Sequence, residues 1–451
     1  MTTVELYERE LVVPTVGLNA DLLLQLREAV TEQLKSDEIP IRLAVTGRAT
    51  IPNSDREGKH CEIGLLRGLE GCRRPASIFD LDRRPVENPE QFNAVLLVPT
   101  GVGAEIGGHA GDAMPVAALL AAVCDTLVTH PNVVNASDVI EMPANCLYVE
   151  GSVIARLLQG QLGLQRARNN RLLVVLGPHD DELFVHAAIN SINAARTSYG
   201  LARPQVLRLE QGLQMDSRYA RSGRAAGRVR GLEPLFAELD RRRNQYDAVA
   251  ITSLIDVPAG YHFEYFDRMG EMVNPWGGVE AMLTHTVSAL YDVPSAHAPM
   301  LESREVANAD PGVVDPRMAA EAVSLAMIQC ILKGLQRSPR LITDPEARRH
   351  HSVLNAADIS CLVIPDGCVG LPTLAALEQG IATIAVRENR NLMSNDLTEL
   401  PWGPGQLHIV ENYWEAAGVM AALRAGVDPA AVRRPLAGAE ITGPAETTGS
   451  I

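Results

Sequence analysis

The chain has 451 residues, 46% hydrophobic and 21% charged, enough for two or three globular domains with a sizeable core. Its net charge of −15 argues against bulk electrostatic binding to nucleic acid or an anionic membrane, which leaves a small molecule as the expected partner. Only three lysines occur (Lys35, Lys59, Lys333), none in a GxxxxGK[ST] loop, which excludes a Walker-A ATP site and counts against pyridoxal phosphate chemistry.

The seven cysteines are scattered without a CxxC pair, neither a disulfide framework nor a zinc ribbon. The opening MTTVELYERELVV is charged where a signal peptide is apolar, and no run approaches ~18 uninterrupted apolar residues. A cytoplasmic protein, assembled as a homo-oligomer, is expected.

Residues 1–88 read as a small α+β module, with an apolar strand at 11–16, an amphipathic helix over 20–35, and strands at 41–45 and 61–66. The charged, proline-containing stretch 83–89 looks like a linker. Residues 89–435 alternate β-branched runs with helical stretches. This predicts an α/β body of doubly wound, mainly parallel sheets, with a division into two lobes near 205–245. The Gly/Ala/Thr-rich residues 436–451 read as a disordered tail.

One pattern recurs three times in the body: a strand, a glycine-rich turn, a helix and a returning strand with a polar residue just beyond it. The copies begin at residues 94, 248 and 360, and their returning strands end near His130, His297 and Glu388-Asn389. In an open parallel sheet, the glycine turn and the polar residue both lie at the carboxyl edge, where ligands bind.

The first copy carries VPTGVGAEIGGHAGDAMP over 98–115. Its glycines let backbone N–H groups approach a ligand, and the following helix start favours an anion. Thr100, Gly101, Gly103, Gly107 and Gly108 are therefore expected substrate contacts. His109 and Asp112, at i and i+3, suit an imidazole oriented by a carboxylate. The next strand runs into THPNVVNAS, which adds His130 as an acid/base candidate and Asn132 and Asn135 as ligand-orienting amides.

These segments, with SAHAP and PDGCVGLPTLAALEQGIATIAVREN further on, resemble a bacterial and cyanobacterial family known only as a domain of unknown function. That family is marked by VPTGIGA-IGG-AGDA-P, THPNVLN and AHAP segments. The resemblance spans about residues 94–426 and implies a shared architecture, with no activity attached. This chain departs from the family in having Val369-Gly370-Leu371 in place of paired glycines and His109 at an often aromatic position.

Cys368 is the candidate nucleophile. It lies between a strand and a helix that Pro372 opens, where a helix N-terminus lowers a thiol pKa, although Asp366 opposes this. The run GPHDDE at 177–182 resembles, in altered order, the HPDDE zinc motif of sugar deacetylases. It makes His179, Asp181 and His186 candidate ligands for a divalent metal. The alternative is that the acidic residues there serve a helix start. Arg218, Arg221, Arg224, Arg228 and Arg230, interleaved with Ser222, Gly223 and Gly227, suggest a mobile loop in which Arg221 and Arg224 close on an anion.

The reading that results is an enzyme acting on a small anionic metabolite by acid/base or cysteine chemistry, with the reaction class (hydrolase, lyase or isomerase) open. Two alternatives stand beside it. One is a sugar-nucleotide enzyme, because residues 357–386 are similar to the donor-binding segment of two-Rossmann-domain glycosyltransferases; the other is a non-catalytic metabolite binder.

Overall fold

The computed structural model describes residues 3–14, 22–50, 57–69, 74–135, 142–324, 327–436 and 438. Two parallel sheets form its centre. Six strands lie in the order Leu407–Val410, Ala382–Val386, Ile359–Pro365, Asn93–Leu96, Thr126–Thr129, Cys146–Tyr148. Four more lie in the order Ser295–Pro299, Ala248–Ser253, Leu172–Leu176, Gln205–Arg208. Every residue of Leu172–Leu176 and of Ile359–Pro365 is buried, which is why these segments read as unbroken apolar runs and not as alternating ones.

The three strand–helix–strand units are built as the sequence predicts. In each, the two strands are parallel neighbours: Asn93–Leu96 with Thr126–Thr129, Ala248–Ser253 with Ser295–Pro299, and Ile359–Pro365 with Ala382–Val386. The first and third units lie side by side in the six-stranded sheet, and the second belongs to the other sheet. A single hydrophobic core joins the two sheets, with Ala94, Leu96 and Val363 on one side and Leu176, Ala250 and Ala298 on the other.

A third, antiparallel sheet combines Glu5–Pro14, Glu38–Thr50 and Glu57–Arg67 with the hairpin Gln214–Tyr219/Ala225–Arg230 and the short strand Val369–Gly370. The sheet of the amino-terminal module is thus completed by strands from the body. Its first strand starts at Glu5, well before the apolar run, because Glu5 and Glu8 are buried against Arg67, Arg228, Arg42 and Arg224. The stretch 83–89, expected as a linker, is tied down by Arg84, which donates to the carbonyls of Ile359, Gln379 and Gly380.

This sheet packs through one core against the six-stranded parallel sheet and through another against the four-stranded sheet, so the three larger sheets converge. The amino-terminal helix is Leu22–Thr31. Apart from Leu436 and Gly438, the expected tail lies outside the described residues. Among those described, no helix is long and apolar enough to cross a membrane.

Candidate functional site

The carboxyl ends of both parallel sheets open on one cavity of about 170 Å³. Thr100, His130 and Glu150 reach it from just beyond three strands of the six-stranded sheet, and Ile255, His297 and Met300 reach it from the ends of Ala248–Ser253 and Ser295–Pro299. A second cavity of about 140 Å³ adjoins it beneath the antiparallel sheet, and the two share Thr100, His130, Gly151, Ala281 and His285.

His285, on the helix Gly277–Tyr291, stands at this junction. Its Nε2 lies 3.1 Å from Glu150 Oε2. Glu150 caps the helix Gly151–Leu158, accepting from Ser152 N at 2.7 Å, Val153 N at 3.0 Å and Ser152 Oγ at 2.5 Å, so its carboxylate is fixed on several sides. Any Cβ at position 151 would sit 3.2 Å from His285 Nε2, so glycine there makes room for the imidazole.

The other imidazole nitrogen, Nδ1, is buried with no hydrogen-bond partner. Burial, with Arg42 and His130 nearby, holds the His285 pKa well below the ordinary histidine value, so the ring is neutral at pH 7. Burial raises the Glu150 pKa, against the hydrogen bonds from Ser152 and Val153 that lower it. A neutral imidazole backed by a carboxylate on one nitrogen and without a partner on the other has a lone pair left to accept a proton.

His297 has Nε2 2.9 Å from Ser253 Oγ and Nδ1 2.9 Å from Glu280 Oε1. Serine, imidazole and carboxylate stand in the order of a hydrolase triad. Ser253 Oγ, however, also donates to Met215 Sδ at 3.3 Å, and Ser253 does not border the cavity, whereas Glu280 does. The array therefore presents a carboxylate, not a nucleophilic hydroxyl. A further carboxylate, Glu321, accepts from Ala110 N at 3.0 Å and Asn274 Nδ2 at 3.1 Å. Burial pushes its pKa up to about 7.

The predicted residues divide. Thr100, Gly101, Gly108, His130, Asn132, Asn135 and His297 border the first cavity; Gly103, Gly107, His109 and Asp112 border neither cavity. Asp112 does not orient the His109 ring. It accepts from the backbone N–H groups of Gly107 and His109, while His109 Nδ1 lies 2.7 Å from Tyr265 Oη. Burial pushes Asp112 up to about 6 and His109 down to about 4.

His130 Nε2 accepts from Val98 N–H at 3.1 Å, and burial lowers its pKa to about 3, so it is neutral with its proton on Nδ1. It is a hydrogen-bond donor to the cavities and not a base. Asn132 Nδ2 donates to the carbonyls of Val98 and Gly107, and Asn135 Nδ2 donates to Tyr148 Oη.

The expected anion cradle is turned inward. Glu105 N–H donates to Arg390 O, Ile106 N–H to Asn389 Oδ1 and Gly107 N–H to Asp112 Oδ1, so these loop donors are already spent. Asn389 is a buried clamp on this loop, and Glu388 is exposed. The arginine-rich segment is the hairpin of the antiparallel sheet and not a mobile loop. Arg224 is buried between Glu8 and Glu62, 2.5 Å from each, and Arg221 is engaged at its backbone N–H by Glu10. These arginines hold the sheet together, and neither borders the first cavity.

Cys368 borders the second cavity, but burial and Asp366 push its thiol pKa up, so the thiol is protonated and the helix start at Leu371 does not activate it. The candidate metal ligands are used locally. His179 Nδ1 accepts from Asp181 N–H, Asp181 caps the helix Glu182–Ser198 and pairs with Arg304, and His186 is exposed. Among the described residues, no three His, Cys, Asp or Glu side chains are grouped to hold a metal ion.

Glu150, Glu280, His285 and Glu321 escaped the sequence reading. The available signals were a charge between an apolar strand and a glycine in YVEGS, and polar residues within the apolar helix GGVEAMLTHTVSALY.

The family described as "Protein of unknown function (DUF3326)" matches residues 93–433, close to the span over which the motif resemblance was read. An uncharacterized lipoprotein of Synechococcus sp. is 32% identical over 346 residues, covering 76% of this chain and 93% of the relative. No solved structure matches the chain.

Proposed function

The chain belongs to that family of unknown function, and we propose that it is an enzyme working by general acid–base catalysis on a small polar metabolite held between the two parallel sheets. The observation that carries this reading is His285, with Glu150 on one nitrogen and the other nitrogen buried and unpartnered where the two cavities meet. In this reading His285 Nδ1 removes a proton from the substrate or from a water molecule. Glu280, backed by His297, and the Nδ1–H of His130 lie on the same cavity to donate or stabilise charge.

Isomerisation, elimination and hydrolysis all begin with such a step. The cysteine route loses support because the Cys368 thiol is buried and protonated. A cytoplasmic location is proposed with it, in keeping with cysteines that are scattered along the chain without a CxxC pair.

The test is incubation of the purified protein with a pool of amino acids, hydroxy acids and sugars in deuterated water, followed by mass spectrometry. At least one compound should change or gain carbon-bound deuterium, and His285→Asn should slow that by ~100-fold or more while keeping its fold, within the range positioned acid/base groups supply. An unchanged pool, or a variant as fast as the parent, would overturn the proposal.

A further inference from the structure

The lining of the first cavity carries information about the charge of what it binds. Glu150, Glu280, Glu302 and Glu321 border it, and among its described lining residues there is neither arginine nor lysine. Glu150 and Glu280 are engaged by His285 and His297. Glu321 is different: it is 8% exposed, and its Oε2 is buried without a hydrogen-bond partner.

Ala110 N–H and Asn274 Nδ2 hold Glu321 Oε1, and the Tyr265 hydroxyl also hydrogen-bonds this carboxyl, so the group is fixed while Oε2 stays buried. A buried carboxylate oxygen left this way is costly unless a donor reaches it. Asn135 contributes a second acceptor, Oδ1, which is buried and unpartnered in a residue that borders the same cavity. The rings of Phe266 and Trp276 also border the cavity, and aromatic faces attract cations.

Two buried acceptors without a partner, four glutamates with neither arginine nor lysine beside them in the lining, and aromatic rings together describe a site for a donor-rich cation. We infer that the cavity binds the ammonium group of a small primary amine, with N–H donors on Glu321 Oε2 and Asn135 Oδ1 and the charge against Phe266 and Trp276. This rests on the acid–base reading for its location, because the amine is the head group of the substrate that His285 deprotonates. It replaces the anionic substrate that the sequence suggested. A bare metal ion is a poorer fit, since the described residues hold no group of three metal-binding side chains.

The test is equilibrium dialysis of the full-length protein against an equimolar mixture of butylamine, putrescine, lysine, butanol, butyrate and glutarate, with retained compounds read by mass spectrometry. The expected result is retention of at least one of the amines ten-fold or more above butyrate and glutarate, with that excess lost in Glu321→Gln. Preference for the carboxylates, retention of nothing, or amine retention unchanged in Glu321→Gln would overturn the inference.

The preference of the parent protein is itself decisive if Glu321→Gln fails to fold. Retention is read without turnover, which separates the two proposals. Carboxylate preference with conversion of a pool compound removes the ammonium assignment alone, and amine retention without conversion removes the acid–base reading alone.

Discussion

Four imidazoles border the cavity between the two parallel sheets, and for three of them the hydrogen bonds decide which nitrogen, if any, is left for a ligand. His297 uses both nitrogens on Ser253 and Glu280, His130 uses Nε2 on Val98 N–H, and His285 leaves Nδ1 buried without a partner. Burial makes His130 a neutral donor and lowers its pKa from 6.5 to about 3. Because the folded-state value is depressed, its stabilising contribution is complete above pH 6.5 and is lost as pH falls toward 3. The whole span corresponds to roughly 5 kcal/mol. Urea unfolding at pH 7, 5 and 4 should show the stability of the parent falling relative to His130→Gln as the solution is acidified. A difference between the two that does not change with pH would contradict this protonation state.

The hairpin Gln214–Tyr219/Ala225–Arg230 shows why part of the fold was hidden. Its arginines and glycines look solvated, and their partners Glu8 and Glu62 lie 216 and 162 residues away from Arg224 along the chain. Local pattern carries no trace of such a pairing. The strand–helix–strand units were legible for the opposite reason: buried parallel strands are short apolar runs between glycine turns, a signal contained within each unit. Arg224→Met should destabilise the protein by about 3–5 kcal/mol, because it leaves two glutamates buried without their cation. Guanidinium unfolding checks this, and a midpoint equal to that of the parent would mean that the arginine does not anchor the hairpin.

The molecule brings the carboxyl ends of its two parallel sheets to one cavity, and that arrangement set how much of the site the sequence could reveal. Thr100, His130 and Asn132 follow strands and His297 lies in the strand Ser295–Pro299, so the rule for parallel sheets found them. Glu150, His285 and Glu321 come from three separate segments that only the tertiary structure brings together. Glu150 also looks like an ordinary helix cap, and His285 sits within an apolar helix. Conversely, His109, Asp112 and Asn389 were marked by loop chemistry and turn out to serve the loop itself, through Tyr265, the backbone and Ile106. The central claim is that Glu150 orients His285 for proton transfer. It is tested most directly by steady-state kinetics of Glu150→Gln on the compound that the metabolite pool identifies. The account predicts a fall in kcat of about 10²-fold or more with KM within a few-fold of the parent, as for a group acting in the transition state. An unchanged kcat, or a loss confined to KM, would contradict it.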